Sequence, residues 1–224
     1  MLKYLLLLFL TTQNFVQAND VLIIGARPWD KNVQAFRSRH PGVDYLDVHH
    51  QDFSGEGPQL MNIPDGFDMK EDEFHHVDLN NRQQNGAKNF QEFVRGLMKE
   101  KKKYDVIIFD YSVEKHILPM DKVKFWAPLP RILTRGGKVY LPMYAINIQT
   151  QETFSERRAD EYAKRYEKSN FKGEYHSLKK FTERGRESPV AVAFLNRLVL
   201  KKEGKRTIHG MFYDDIYVVM FTRK

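Results

Sequence analysis

Apolar positions along the chain fall into two rhythms. Short apolar runs of strand length alternate with stretches in which apolar residues return every three or four positions. "DVLIIGA" (20–26) reads as a first strand. Residues 28–42 read as a short helix, with Trp29, Val33 and Phe36 on one face, Pro28 in the first turn and Pro41-Gly42 as its stop. "VDYLDVH" (43–49) is a second strand, and the Gly- and Pro-rich residues 50–73 form a long loop. A third strand, "FHHVDLN" (74–80), precedes an amphipathic helix over 87–103 with Phe90, Phe93, Val94 and Leu97 at helical spacing. "YDVIIFDYS" (104–112) is apolar through its middle, as a strand covered on both faces should be. Residues 120–137 read as a helix interrupted near Pro128 and Pro130 and ended by Gly136-Gly137. Residues 138–144 are a fifth strand and 155–169 a charged helix. Residues 194–204 and 214–224 read as an antiparallel pair of strands, and 188–194 suit either helix or strand.

Strands alternating with helices predict an α/β fold: a doubly wound, mostly parallel sheet with helices on both faces and an antiparallel strand at the C-terminal side. No repeat or linker interrupts the pattern, so residues 19–224 are expected to form a single domain. Residues 1–18 have one cation, Lys3, then an apolar run too short to span a bilayer, and end on Val16-Gln17-Ala18. This is the pattern of a signal peptide cleaved after Ala18. It implies an exported protein, periplasmic or secreted, if the signal is real, and a cytoplasmic one otherwise. No transmembrane span is expected.

Composition narrows the chemistry. The 224 residues include no cysteine, which excludes disulfides, zinc-thiolate sites and thiol nucleophiles. A net charge of +7 permits contact with nucleic acid or another polyanion, although no nucleic-acid-binding motif supports it. "KEKKKYD" (99–105) is the densest basic run and suits a helix C-terminus, where cations meet the negative end of the dipole. Neither a Gly-x-Ser-x-Gly nor a P-loop occurs. The pairs His49-His50 and His75-His76 point alternately to opposite faces of a strand, so neither pair makes a two-ligand site, and no metal site is assigned.

In a doubly wound sheet, ligands bind beyond the carboxyl ends of the strands, near the point where strand order reverses. Gly25, Ala26 and Arg27 follow the first strand, and Asp47 lies at the end of the second. Asp78 and Leu79 close the third, and Asp110, Tyr111 and Ser112 the fourth. Carboxylates there can accept hydrogen bonds from ribose hydroxyls, from a purine amino group or from a cationic ligand. Taken one by one, Gly25 can be a simple turn and Asp47 and Asp78 simple caps. Asp105, at a strand's start, reads as structural.

The order of these motifs resembles the class I, Rossmann-like S-adenosylmethionine-dependent methyltransferases. "VLIIGARPW", "VDYLDV", "HHVDLNN", "YDVIIFDYS" and "LTRGGKVYLP" carry the likeness, which covers residues 20–145 well and the remainder loosely. The resemblance implies S-adenosylmethionine as cofactor, held by Gly25, Ala26, Arg27, Asp47 for the ribose, Asp78 and Leu79 for the adenine, and Asp110. It also implies an unidentified methyl acceptor beside Asp110, Tyr111 and Ser112, with Asp110 as the catalytic base. The first motif departs from the family: Ile23 stands for its acidic residue, Arg27 for its second glycine and Trp29 for its third. Either Arg27 pairs with the cofactor's carboxylate, or the pocket has changed ligand and the protein is an exported, non-catalytic binding protein on the same fold. A nicotinamide-dependent oxidoreductase is opposed by the absence of Gly-x-Gly-x-x-Gly.

Overall fold

The computed structural model describes residues 20–26, 30–48, 74–78, 88–111, 127–143, 155–167, 170–202, 204–208 and 211–224. The expected signal segment and the 50–73 loop lie outside them, as do Arg27, Leu79 and Ser112. The strands of the main sheet are β1 (Val21–Ile24), β2 (Asp44–Val48), β3 (Phe74–Asp78), the two-residue β4 (Lys88–Asn89), β5 (Tyr104–Phe109), β6 (Leu133–Met143), β7 (Phe171–Ser177) and β11 (Tyr217–Arg223). Their order is β4-β3-β2-β1-β5-β6-β11-β7. Neighbours from β4 to β6 pair in parallel, and β11 runs antiparallel to both β6 and β7. This is the doubly wound sheet with one antiparallel, C-terminal strand that the sequence predicts. β11 is inserted between β6 and β7 rather than added at the edge. Strand order reverses at β1, which pairs with β2 on one side and β5 on the other.

Alternation along the central strands divides the core into two layers. Leu22, Ile24, Ile107 and Phe109 pack with Phe90, Phe93, Val94 and Leu97 of α2 (Phe90–Lys99), Leu129 and Ile132 of α3 (Leu129–Ile132), and Ala159 and Tyr162 of α4 (Ser155–Glu167). Val21, Ile23, Tyr45, Val106 and Ile108 face the other way. They pack with Val33 and Phe36 of α1 (Lys31–Arg39), Leu178 and Phe181 of α5 (Leu178–Glu183), and Ala191, Phe194 and Leu195 of α6 (Pro189–Asn196). Each buried Val, Leu, Ile or Phe side chain among them contributes about 1.5–3 kcal/mol before entropy is counted. α1 starts at Lys31, because the Asp30 carboxylate caps the amides of Asn32 and Val33 at 2.7 and 3.2 Å.

Three expectations are corrected. Within 120–137, helix among the described residues is limited to Leu129–Ile132, and strand begins at Leu133. Pro128 and Pro130 supply no amide to extend a helix. The Gly136-Gly137 pair lies inside β6, where residues 134–137 bulge out opposite Asp105 between the partners Tyr104–Leu133 and Val106–Lys138. Gly136 takes a φ of +76°, and a side chain at Gly137 would meet the Thr134 carbonyl oxygen at 2.9 Å. Residues 194–204 are not a strand of the main sheet. α6 runs through Asn196, started by Ser188 as cap and Pro189 at its first turn. Only Leu200–Lys202 (β8) is strand, in a separate three-stranded sheet with β9 (Lys205–Ile208) and β10 (Met211–Phe212). β7 was not foreseen: in "FKGEYHS" only Phe171 is buried, so the run lacks the apolar signature.

Candidate functional site

Strand order reverses where β1 ends between β2 and β5. After Ile24 the chain turns at Gly25, whose φ of +88° lies in the region that favours glycine. The Gly25 amide donates to the Leu46 carbonyl of β2 at 2.8 Å, and the Asp110 amide donates to the Ile24 carbonyl at 2.8 Å. The turn is thereby stitched to the strands on either side. Ala26, next in line, is fully buried among the apolar residues on the α1 side of the sheet. Asp47 pairs in register with His76, and Asp78 is the last residue of β3, beside Asn89 of β4. Strand positions thus set Gly25, Asp47, Asp78 and Asp110 along one edge of four neighbouring strands.

Asp110 is the best-defined member. Its Oδ1 accepts from the Tyr111 amide at 2.7 Å and from Arg197 Nη2 at 2.6 Å. The two side chains of this ion pair are 12% and 4% exposed. The guanidinium stacks over the Phe194 ring at 3.8 Å and donates from Nη1 to the Phe194 carbonyl at 3.1 Å. Its Nε is buried without a hydrogen-bond partner among the described residues. Asp110 is therefore already charge-compensated through one oxygen.

Tyr111 departs from its expected role. It is 2% exposed, sits in the core on the α1 side of the sheet, and its hydroxyl donates to the Leu195 carbonyl at 2.8 Å. It ties α6 to the end of β5 instead of standing open to an acceptor. Asp105 is structural, as expected: its Oδ1 accepts from Thr134 Oγ1 at 2.6 Å across the β6 bulge.

Sequence reasoning missed Arg197. It lies 87 positions from Asp110 in a stretch read as strand, and only the placement of α6 brings the two together. It also missed a second polar group on the same side of the sheet. There Glu187 accepts from Lys138 Nζ at 2.8 Å and from the Tyr140 hydroxyl at 3.0 Å. Burial alone would push the Glu187 carboxyl up, but the Lys138 ammonium and the Tyr140 hydroxyl outweigh it and hold the group below the usual carboxylate range. No local motif signals either feature.

Among the described residues no helix is long and apolar enough to cross a membrane, and no group of three or more His, Asp or Glu side chains is placed to hold a metal ion.

No protein-family model matches the chain. No curated protein matches its sequence. Solved structures do align with it. The plantazolicin methyltransferase BpumL, in complex with a triazolic desmethylPZN analog and SAH, is 12% identical with a TM-score of 0.46, over 92% of this chain and 77% of that one. SMU.776 complexed with SAH is 13% identical with a TM-score of 0.39, over 92% and 45%. The MycE methyltransferase from the mycinamycin biosynthetic pathway, in complex with Mg and SAH, is 14% identical with a TM-score of 0.33, over 93% and 42%. The chain thus spans less than half the length of the last two. Likeness of this degree says nothing of shared chemistry, and the architecture rests on the order and direction of the strands.

Proposed function

We propose that the crevice over β1 and β5 binds S-adenosylmethionine and that the protein is a methyltransferase whose acceptor is unidentified. The observation that carries this reading is the positive-φ turn at Gly25, pinned between β2 and β5 at the strand-order reversal, with Asp47, Asp78 and Asp110 at the neighbouring strand ends. A doubly wound sheet binds nucleotide-like ligands at that point. The residues present fit the group. Gly25 allows close approach of backbone, Asp47 would accept from the ribose hydroxyls, and Asp78, with Leu79 beside it, would accept from the adenine amino group. Arg27 would pair with the carboxylate. When bound, the cofactor supplies a methyl group on a positively charged sulfur.

The chain's own part in the reaction is mainly positioning, which is where most of the advantage in such transfers lies. Asp110 is anchored through Oδ1, and its other carboxylate oxygen would take the acceptor's proton. Tyr111 and Arg197 hold that carboxylate in place, one through its amide and the other through its guanidinium. Ser112, next in the sequence, would contact the acceptor.

Isothermal titration of the purified chain with S-adenosylmethionine and S-adenosylhomocysteine tests the reading. Both are expected to bind, and Asp47→Ala and Asp78→Ala each to weaken binding by about tenfold or more, the loss of hydrogen bonds to a charged group. Absence of both heat and thermal shift at millimolar ligand would sink it. The Asp110–Arg197 pair favours one alternative, a non-catalytic binding protein, because the carboxylate nearest the reacting end is already neutralised. Binding without methyl transfer to any offered acceptor class would be its signature.

A further inference from the structure

A hollow of about 260 Å³ opens in the seam between α2 and α3. On α2 it is lined by positions 91, 94, 95 and 98, which share one face of a helix. Val94 there is buried, whereas Met98 is 43% exposed, one of two large apolar side chains so open among the described residues. Ala127 and Pro128, just before α3, add more apolar surface. Two cations reach the same hollow, Arg95 from α2 and Arg131 from α3. Both residues are exposed. Among the described residues, neither guanidinium takes part in an ion pair or a hydrogen bond. Exposed Arg157 on α4, by contrast, pairs with Glu161 one turn further on. No acid lines the hollow, and Glu92, three positions from Arg95, is not part of its wall. Gln91 and Lys99 stand four positions either side of Arg95, and Ala127 stands four before Arg131, so none of these neighbours offers a carboxylate. Two like charges facing one space repel each other, and an anion between them turns that repulsion into attraction.

We propose that the hollow between α2 and α3 binds a small organic anion. Its carboxylate or phosphate group sits between Arg95 and Arg131, and its apolar body lies against Val94, Met98 and Pro128. The planar guanidinium fork matches the oxygens of either acid group. Gln91, in the same wall, has an amide that donates to a remaining oxygen. The size of the space sets the size of the body. It exceeds the roughly 150 Å³ of a cavity that takes benzene, and falls just short of the roughly 300–1,000 Å³ of sites for drug-sized ligands. One ring, or a short chain of similar bulk, with a single acid group fits between those limits. A bare inorganic ion would leave the apolar lining in water. The inference stands apart from the cofactor reading, because none of the lining residues lies at a strand end of the main sheet.

Ligand-observed NMR titration of the full chain with phenyl phosphate, phenylacetate, phenylacetamide and inorganic phosphate is the test. At least one of the two aromatic anions is expected to bind with a Kd of about 0.1–1 mM, and the tighter of the two tells a phosphate site from a carboxylate site. The neutral amide and inorganic phosphate should each bind at least about tenfold more weakly, one lacking the charge and the other the apolar body. Arg95→Gln and Arg131→Gln should each weaken the tighter anion by about tenfold or more. Their urea midpoints should stay at the parent value, since neither guanidinium has a partner within the described fold. Met98→Ser should weaken the same anion by about threefold, through lost apolar contact. The proposal is overturned if neither aromatic anion binds at millimolar concentration. It is also overturned if inorganic phosphate binds as tightly as phenyl phosphate, or if binding survives both arginine changes unaltered.

Discussion

At the scale of single residues, Arg197 ties the end of α6 to Asp110 at the end of β5. Its guanidinium is buried between the Phe194 ring and Asp110, and it compensates a carboxylate that is itself nearly withdrawn from water. Removing one partner of such a pair leaves an uncompensated charge, which costs about 3–5 kcal/mol, whereas removing both costs far less. Arg197→Met is therefore expected to lower the unfolding free energy by that amount, read from urea unfolding as a lowered midpoint at unchanged slope. Asp110→Asn combined with Arg197→Met should lose clearly less than the sum of the two single changes. A loss under about 1 kcal/mol for Arg197→Met would mean that the pair is open to water in solution. Gly173 shows the same scale in backbone form. A side chain there would lie far inside contact distance of the Ala163 carbonyl, so β7 approaches α4 as closely as it does only because that position has no side chain.

At the scale of elements, the basic run 99–103 ends α2, as its charge predicts, but the stop itself is made by an unusual residue. Lys101 takes a φ of +58°. The Lys102 amide donates to the Leu97 carbonyl at 2.9 Å and the Lys101 amide to Met98 at 3.2 Å, the paired bonds of a left-handed helix cap. A side chain in that conformation strains against its own carbonyl, so Lys101→Gly is expected to stabilise the protein by about 0.5–1 kcal/mol, read as a raised urea midpoint with unchanged slope. Elements were legible where burial on both faces or one face leaves a clear period, as in Leu22–Ile24, Phe90–Leu97 and Val106–Phe109. They were illegible where long-range contacts decide. β7 owes its place to pairing with β11, not to apolar content. The early start of β6 depends on Thr134 reaching Asp105 across the bulge. The helix at 189–196 was ambiguous because "VAVAF" has no polar face; its Ser188 cap, which accepts from the Ala191 amide at 3.5 Å, marks it as helix.

At the scale of the whole molecule, the candidate site was legible as a row of strand ends because topology places it, whereas the tie between Asp110 and the end of α6 was not, because Arg197 meets Asp110 only through the folding of the segment between β7 and β11. The same global packing sets how the protein responds to pH. Tyr104, fully buried, donates its hydroxyl to Asp44 Oδ2 at 2.8 Å; burial first, and the Asp44 charge second, drive its pKa well above the ordinary 10.0. Burial likewise raises Tyr45 and Tyr140, and burial together with Glu156 pushes Tyr217 up to about 12. In each case the folded protein keeps a proton that the unfolded chain releases above pH 10, so the unfolded state binds fewer protons and stability falls as pH rises. The stabilisation is complete below pH 10 and is lost as pH climbs towards each folded value. Glu187 acts at the other end: its folded pKa lies below the unfolded 4.5, so its contribution is present above that value and disappears as pH falls through the folded one. Urea midpoints are thus expected to hold across neutral pH, fall on the acid side below about 4.5, and fall more steeply above pH 10, where several tyrosines act together. Tyr104→Phe has no proton to keep at that position. It should start less stable at pH 8 because Asp44 loses its donor, yet decline less between pH 10 and 11 than the parent. Parallel decline of the two proteins would show that the Tyr104 hydroxyl titrates alike in the folded and unfolded chain.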